Sequence, residues 1–317
     1  MKTRLKVNAL WLGLFIAGYL LLYFLQFFGI MTPLYENVLV TVGINIILAT
    51  GLNLVIGFSG QFSLGHAGFM AIGAYASALI LLKIGTLGGL LLSLLVGMIV
   101  AGVAALIIGG PTLRLKGDYL AIATLGISEI IRIILINMKD VTNGAAGLFG
   151  IAPVVTWPIV YIFVILTTLV VVNFLHSGPG LATLAVREDE IASESVGLHA
   201  TKYKIIAFVI GAMTASVAGG LYASYIQSIA PKDFTFNKSI DILIIVVFGG
   251  LGSITGSFVA AIVLGILNMV LQDFGQLRMI IYALALIAIM IFKPNGLLGK
   301  YEISLTRLFQ KKKEVKL

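Results

Sequence analysis

Apolar residues run along this chain in long blocks, separated by short polar or glycine-rich breaks. A helix that crosses the hydrocarbon core of a bilayer needs about 20 consecutive apolar residues. On that criterion the blocks predict membrane helices near 8–28, 38–56, 64–82, 87–109, 119–137, 157–175, 205–228, 240–256, 257–273 and 279–293. The division at 240–273 is the least regular. Two short apolar pieces flank a Gly-rich bend there, which fits either a helical hairpin or a re-entrant loop. At the start, Met1-Lys2-Thr3-Arg4-Leu5-Lys6 precedes an apolar stretch from Val7 to Ile30. That stretch is longer than a signal-peptide core, and no small-x-small cleavage pattern closes it. It reads as a retained first span.

Composition sharpens this picture. Hydrophobic residues make up 60% of the 317, only 11% are charged, and mean hydropathy is +1.10. Soluble domains carry about 25% charged residues, so an ordinary cytosolic enzyme is excluded, as is a disordered chain. No segment outside the predicted spans is long enough to hold a soluble domain. The expectation is a single transmembrane domain over 1–317, all-α and polytopic, with about ten transmembrane helices and Gly-rich broken or re-entrant segments. The longest internal hydrophilic piece is 176–204, and a basic tail covers 294–317.

Charge sets the orientation. With ten spans and the N-terminus inside, fifteen of the 21 Lys and Arg residues fall on the cytoplasmic side. Five fall on the outer side, and Arg132 lies within a span. Lys and Arg are retained on the cytoplasmic side during insertion, so both termini are expected inside. The high pI follows from this topology, and no nucleic-acid partner is expected. Trp11 and Trp157 fall near span ends, where indole rings favour the membrane interface.

Candidate chemistry is sparse. There is no cysteine, which removes disulfides, thiolate metal sites and cysteine nucleophiles. No phosphate-binding G-x-x-x-x-G-K-[ST] run and no H-E-x-x-H occur, and His66, His176 and His199 are far apart. Gly249-Gly250-Leu251-Gly252-Ser253-Ile254-Thr255-Gly256 superficially resembles a nucleotide loop but lacks a βαβ frame. Close helix packing through its small residues is the preferred reading. The chain is thus expected to bind no cofactor and to lack its own energy source.

Four features invite a functional reading. The segment from Gly57 to Met70 is punctuated by glycines, with Ser59, Gln61, Ser63 and His66 beside them. A broken segment lining a polar pathway would accommodate these residues, and so would a cytoplasmic turn with Ser63 as N-cap. Glu129 and Arg132 lie mid-span at i, i+3, so they share a face and can neutralise each other. They form a wall of the pathway or a structural ion pair. On the outer side, Asn143 and Gly144 open a Gly-rich loop that either guides substrate or simply connects. On the inner side, His176-Ser177-Gly178-Pro179-Gly180 ends a span. Arg187-Glu188-Asp189-Glu190-Ile191-Ala192 follows, closed by Gly197. This describes either a short surface helix with Ile191, Ala192 and Val196 available to pack, or a solvated turn.

Three blocks resemble a known family. They are Gly60-Gln61-Phe62-Ser63-Leu64-Gly65-His66-Ala67-Gly68-Phe69 with Ile72-Gly73-Ala74-Tyr75; Gly117-Asp118-Tyr119-Leu120-Ala121 through Glu129-Ile130-Ile131-Arg132 and Asn143-Gly144; and Ala185-Val186-Arg187-Glu188-Asp189-Glu190-Ile191-Ala192 through Gly197, Phe234-Thr235-Phe236 and Gly249–Gly256. The chain resembles the LivM-type permease subunits of branched-chain amino-acid ABC importers, from about residue 40 onward. The resemblance implies a heterodimer with a LivH-type sister, two cytoplasmic ATP-binding subunits that hold ATP and Mg, and an extracytoplasmic substrate-binding protein. It makes Arg187, Glu188, Asp189, Glu190, Ile191, Ala192 and Gly197 an ATPase-coupling segment. Such permeases generally carry Glu-Ala-Ala-x-x-x-Gly there. This chain has Ile191-Ala192-Ser193 in register with Gly197, and Glu190 one position early. Permeases for urea or short amides share the pattern. An ion-coupled secondary transporter would need buried ion ligands, and Glu129 has Arg132 beside it.

Overall fold

The computed structural model describes residues 2–29, 31–115 and 117–271, together with scattered positions between 280 and 299; side chains are described from Gly13 onward. Most of the expected span at 279–293 and of the tail at 294–317 lies outside the described residues, as does the side chain of Trp11.

Helix dominates. The long elements are α1 (Lys2–Phe27), α2 (Pro33–Asn53), α3 (His66–Leu81), α4 (Leu87–Thr112) and α5 (Asp118–Asn137). A single turn, α6 (Lys139–Thr142), leads through the outer loop to α7 (Trp157–Leu175). Next come α8 (Gly178–Glu188), α9 (Glu190–Ser195), α10 (Ala200–Ile226), α11 (Phe236–Gly249) and α12 (Ile254–Val270). Two dipeptides, β1 (Leu148–Phe149) and β2 (Ser228–Ile229), pair antiparallel, with Leu148 opposite Ile229.

By length and apolarity, α2 with its extension, α4, α5, α7 and α10 can each cross a bilayer, and the pair α11–α12 counts as a sixth if taken as one span. That is fewer than the ten spans read from the sequence. The count covers the described residues: the first span enters only as Gly13–Phe27 and most of 279–293 is not described, while α3, α11 and α12, of 16, 14 and 17 residues, abut breaks. At 1.5 Å per residue these helices fall short of a ~30 Å core. The division at 240–273 resolves into two helices whose axes turn by 119° between Gly249 and Ile254.

Small residues build the centre. On α4, Ser93, Gly97, Ala101, Ala105 and Gly109 recur every fourth residue and are all buried. Leu91, Leu95, Ile99 and Leu106 face outward. Without water between helices, close backbone approach rather than apolar burial drives such packing. A Cβ added at Gly73 on α3 would overlap the Ser216 carbonyl of α10, and one at Gly219 of α10 would overlap the Met70 carbonyl of α3. The helices α2, α3, α4 and α10 therefore form the core, with the others around it.

The contacts also sort the ends of the helices. Gly57, Arg187 and Gly252 meet at one end of the bundle. The β1–β2 pair joins the loops at the other. The loops expected on one side of the membrane thus gather at one end of the bundle and those expected on the other side at the opposite end. Trp157 opens α7, at a span end as expected; it is buried, donates from Nε1 to Gln26 Oε1 at 2.9 Å, and packs on Tyr19. Its ring closes α7 against α1.

Candidate functional site

The end that carries the 176–199 segment holds the densest set of long-range polar contacts. It begins with α2. The α-helical ladder stops at Asn53, and Leu54–Phe58 continue as a π-helical turn. The chain then turns through Gly60, whose φ of +71° favours a residue without a Cβ, and α3 starts at His66. A π-turn loosens the hydrogen-bond ladder and commonly marks a functional position.

Asn53 staples this break to the other Gly-rich bend. It is fully buried. Its Nδ2 donates to the Ser253 carbonyl at 2.8 Å and to Ser257 Oγ at 2.9 Å, and its Oδ1 accepts from the Gly252 backbone at 2.8 Å. One amide therefore satisfies the turn that α11 and α12 leave open. A Cβ at Gly57 would collide with the Gly252 backbone, so the two bends touch backbone to backbone. Sequence reasoning missed Asn53. The available signal was a lone amide between Leu52 and Leu54 in an otherwise apolar run, because such a group needs a partner inside the protein.

The 176–199 segment docks on the same junction. Ser177 caps α8 by accepting from the Gly180 backbone, and Pro179 sits in the first turn. The cluster His176–Gly180 thus ends one helix and also begins the next. Arg187 and Glu188 are the last residues of α8, which corrects the expected single short helix over 187–197. The break falls at Asp189, whose extended backbone and carboxylate cap α9 by accepting from the Ala192 backbone at 2.9 Å. At the far end Gly197, with φ +89°, turns the chain as expected, and the Leu198 backbone donates to the Ser193 carbonyl.

Two bonds tie this segment to the bundle, and a third braces its anchor on α10. Arg187 Nη1 donates to the Gly57 carbonyl at 2.7 Å, while its Nε and Nη2 bind Glu188 Oε1. Lys204 Nζ, at the start of α10, pairs with Glu190 Oε1 at 2.8 Å. Gln61 Nε2 donates to the Lys204 carbonyl at 2.9 Å and to Ser59 Oγ. Ile191 and Val196 remain 80% and 77% exposed, and Ala192 is exposed as well. An apolar pair on a tethered surface helix is poised to meet another protein.

The other sequence-predicted residues sit as follows. Ser59, Gln61, Ser63 and His66 are at most 4% exposed. Ser63 does not cap α3: the helix begins at His66 with Gly65 as N-cap, and Ser63 Oγ accepts from the Gly65 backbone at 3.4 Å. Gln61 Oε1 and His66 Nε2 have no hydrogen-bond partner. Glu129 and Arg132 form an ion pair on α5, Nε to Oε2 at 2.8 Å, with side chains 31% and 27% exposed. This pair is away from the junction. Asn143 and Gly144 lie at the opposite end, both with positive φ, and Asn143 Nδ2 donates to the Gly147 carbonyl at 3.0 Å. Asn143 therefore holds the outer loop in shape. Among the described residues no three acidic or histidine side chains gather as a metal site would require.

Comparison with known proteins gives the family. The model of the family described as "Branched-chain amino acid transport system / permease component" matches residues 34–292. The high-affinity branched-chain amino acid transport system permease protein LivM of Salmonella typhimurium is 37% identical over 229 residues, 62% of this chain and 54% of that protein. LivM of Escherichia coli is 36% identical over the same shares. LivH of Escherichia coli is 28% identical over 148 residues, 46% of this chain and 48% of that protein. The matched chain thus spans about half the length of these relatives. Among solved structures, "PsaBC from Streptococcus pneumoniae in complex with Fab" superposes with TM-score 0.44 at 16% identity, over 95% of this chain and 99% of that one; that likeness is too loose to bear on function. With the family model covering residues 34–292, this multi-pass membrane chain belongs to the branched-chain amino acid transport permease family.

Proposed function

We propose that the chain is the membrane-spanning permease subunit of an ATP-driven importer that moves branched-chain amino acids across a bacterial inner membrane by alternating access. Its partners in this reading are a homologous LivH-type permease, two cytoplasmic subunits that bind ATP and Mg and carry out hydrolysis, and an extracytoplasmic binding protein. Family membership and the names of the relatives support the substrate class.

The observation that carries the coupling role is the tethering of α9. Ile191 and Val196 are exposed for an ATPase partner, while Arg187 and Glu190 anchor the same segment to Gly57 and Lys204. A push on α9 therefore reaches the π-turn of α2 and, through Asn53, the α11–α12 bend. Both are Gly-rich, so both can change backbone direction at low steric cost. On this account Ser59, Gln61, Ser63 and His66 belong to the joint that moves. Glu129 and Arg132 stand on α5 as the polar pair nearest a pathway wall. Asn143 and Gly144 shape the outer mouth. Alternating access then requires contacts that differ between the inward and outward states.

The chain has no native cysteine, which makes the test clean. In the complex with its ATPases, Ile191→Cys should cross-link to a cysteine placed on an ATPase subunit. The yield should change between nucleotide-free and ATP-bound states. Failure of residue 191 to cross-link while the complex transports leucine normally would refute the coupling assignment.

A further inference from the structure

The outer loops border a half-open cavity of about 420 Å³ that the coupling account leaves unused. It lies where the β1–β2 pair meets the end of α10. Phe149, Ile226 and Ile229 give it apolar lining, Ala145 and Ala146 leave space, and Lys232 and Asp233 stand in its wall. The volume falls within the roughly 300–1,000 Å³ usual for small-molecule sites.

The cavity is built on a fixed frame. The strand register sets Leu148 opposite Ile229. Gly147 takes φ +83°, and a Cβ there would overlap the Ile229 carbonyl, so loop and strand are in backbone contact. Asp233 Oδ2 accepts from the Ala230 backbone at 2.8 Å, which fixes the carboxylate on the turn Pro231–Phe234. Behind it the fully buried Phe234 packs edge-on against Tyr222, which also lines the cavity. Among the described residues neither Lys232 nor Asp233 takes part in an ion pair. One cation and one anion at adjacent positions, neither in a direct ion pair and both next to an aliphatic wall, match a ligand with both charges and an apolar body; Lys238 on α11 adds a cation within electrostatic range of Asp233.

We propose that this cavity is a reception site for a free α-amino acid with an aliphatic side chain. Lys232 takes the carboxylate, Asp233 the α-ammonium, and Phe149, Ile226 and Ile229 the side chain. The proposal rests on the transport reading above and adds a recognition site on the permease itself, separate from any on a binding protein.

The test uses the assembled complex in nanodiscs, without the binding protein, and measures equilibrium binding of radiolabelled L-leucine. Two competitors each lack one charge: 4-methylpentanoate and 3-methylbutylamine. Both should compete at least about ten-fold more weakly than leucine, since a charge-assisted bond is lost in each case. Lys232→Gln and Asp233→Asn should each weaken leucine by about ten-fold, and Lys232→Arg should keep it within about three-fold. Asn at 233 can still accept from the Ala230 backbone, so the turn is retained. Unchanged binding in the K232Q/D233N double variant overturns the proposal, as does equal competition by either analogue. Leucine binding absent without the binding protein, with residue 232 cross-linking to that protein instead, also overturns it and marks a protein-docking surface. If the wild-type complex carries some other solute and no branched-chain amino acid, the transport reading fails. If it carries leucine and the double variant binds and carries it equally, only the cavity assignment fails.

Discussion

Arg187 Nη1 reaches across 130 residues of sequence to the carbonyl of Gly57 at 2.7 Å. The donor ends the helix that precedes the coupling segment, and the acceptor lies in the π-turn that breaks α2. A carbonyl released from a regular helical ladder is free to accept from outside it. The surface segment and the hinge are thereby one mechanical unit, which leads to four expectations.

Arg187→Ala removes this link and leaves α9 itself intact, because Asp189 still caps it. A hydrogen bond from a charged donor contributes about 1.5–3 kcal/mol. Uptake by the reconstituted complex should fall about ten-fold or more. Permease abundance and ATP hydrolysis should stay near wild type. Arg187→Lys should recover only part of the uptake, since a point charge cannot hold Gly57 and Glu188 with one planar fork. Uptake and ATPase rates measured together check this.

Asn53→Leu has nearly the same volume but cannot bond the α11–α12 turn. It strands the part-buried Gly252 N–H, while the Ser253 carbonyl keeps its bonds from the Ser257 backbone and hydroxyl. Each unsatisfied buried group costs about 1–3 kcal/mol. The melting temperature of the purified protein should drop clearly, and expression should fall. Thermal denaturation in detergent gives the answer, and an unchanged melting temperature would remove Asn53 from its stapling role.

Gly73→Ala places a methyl group against the Ser216 carbonyl at the α3–α10 crossing. The backbones must separate to admit it, and overpacking of this kind costs about 1–3 kcal/mol. Reduced folded yield is expected. Gly126→Ala should have no such effect, because nothing lies near a Cβ at that position. Comparing the two by size-exclusion chromatography separates local crowding from a general loss of flexibility.

Glu129→Ala leaves Arg132 without its partner on a membrane helix, where a lone charge costs at least about 2.5–3.5 kcal/mol at the bilayer centre. Abundance should drop, and the double variant Glu129→Ala with Arg132→Ala should restore much of it. Glu129→Gln then asks about function: lower uptake at normal abundance keeps the pair in the pathway wall, and normal uptake removes it.

Much of this molecule was legible in its sequence, and the reason is physical. Long apolar blocks can fold only as helices in lipid, so α2, α4, α5, α7 and α10 follow the predicted spans closely. Gly60 and Gly197 were readable because positive φ selects glycine. What periodicity could not reveal were partners distant in sequence. Asn53 meets Ser253, Gln61 meets Lys204, and Arg187 meets Gly57 only after folding. The helix α8 was hidden for a different reason. Its Gly-Pro-Gly start reads as a stop signal, and only the Ser177 cap reveals that it is also a beginning. Trp157 was placed at a span end, but its partner Gln26 on α1, 131 residues away, was not readable.

The central claim is that motion enters this chain through α9 and not through an ion gradient. The most direct measurement is concentrative uptake of labelled leucine into proteoliposomes, for the complete complex with and without ATP and for this chain alone under imposed H⁺ and Na⁺ gradients. The account predicts accumulation only in the complete complex with ATP, and its loss in Arg187→Ala. Accumulation by the chain alone under an ion gradient would contradict it.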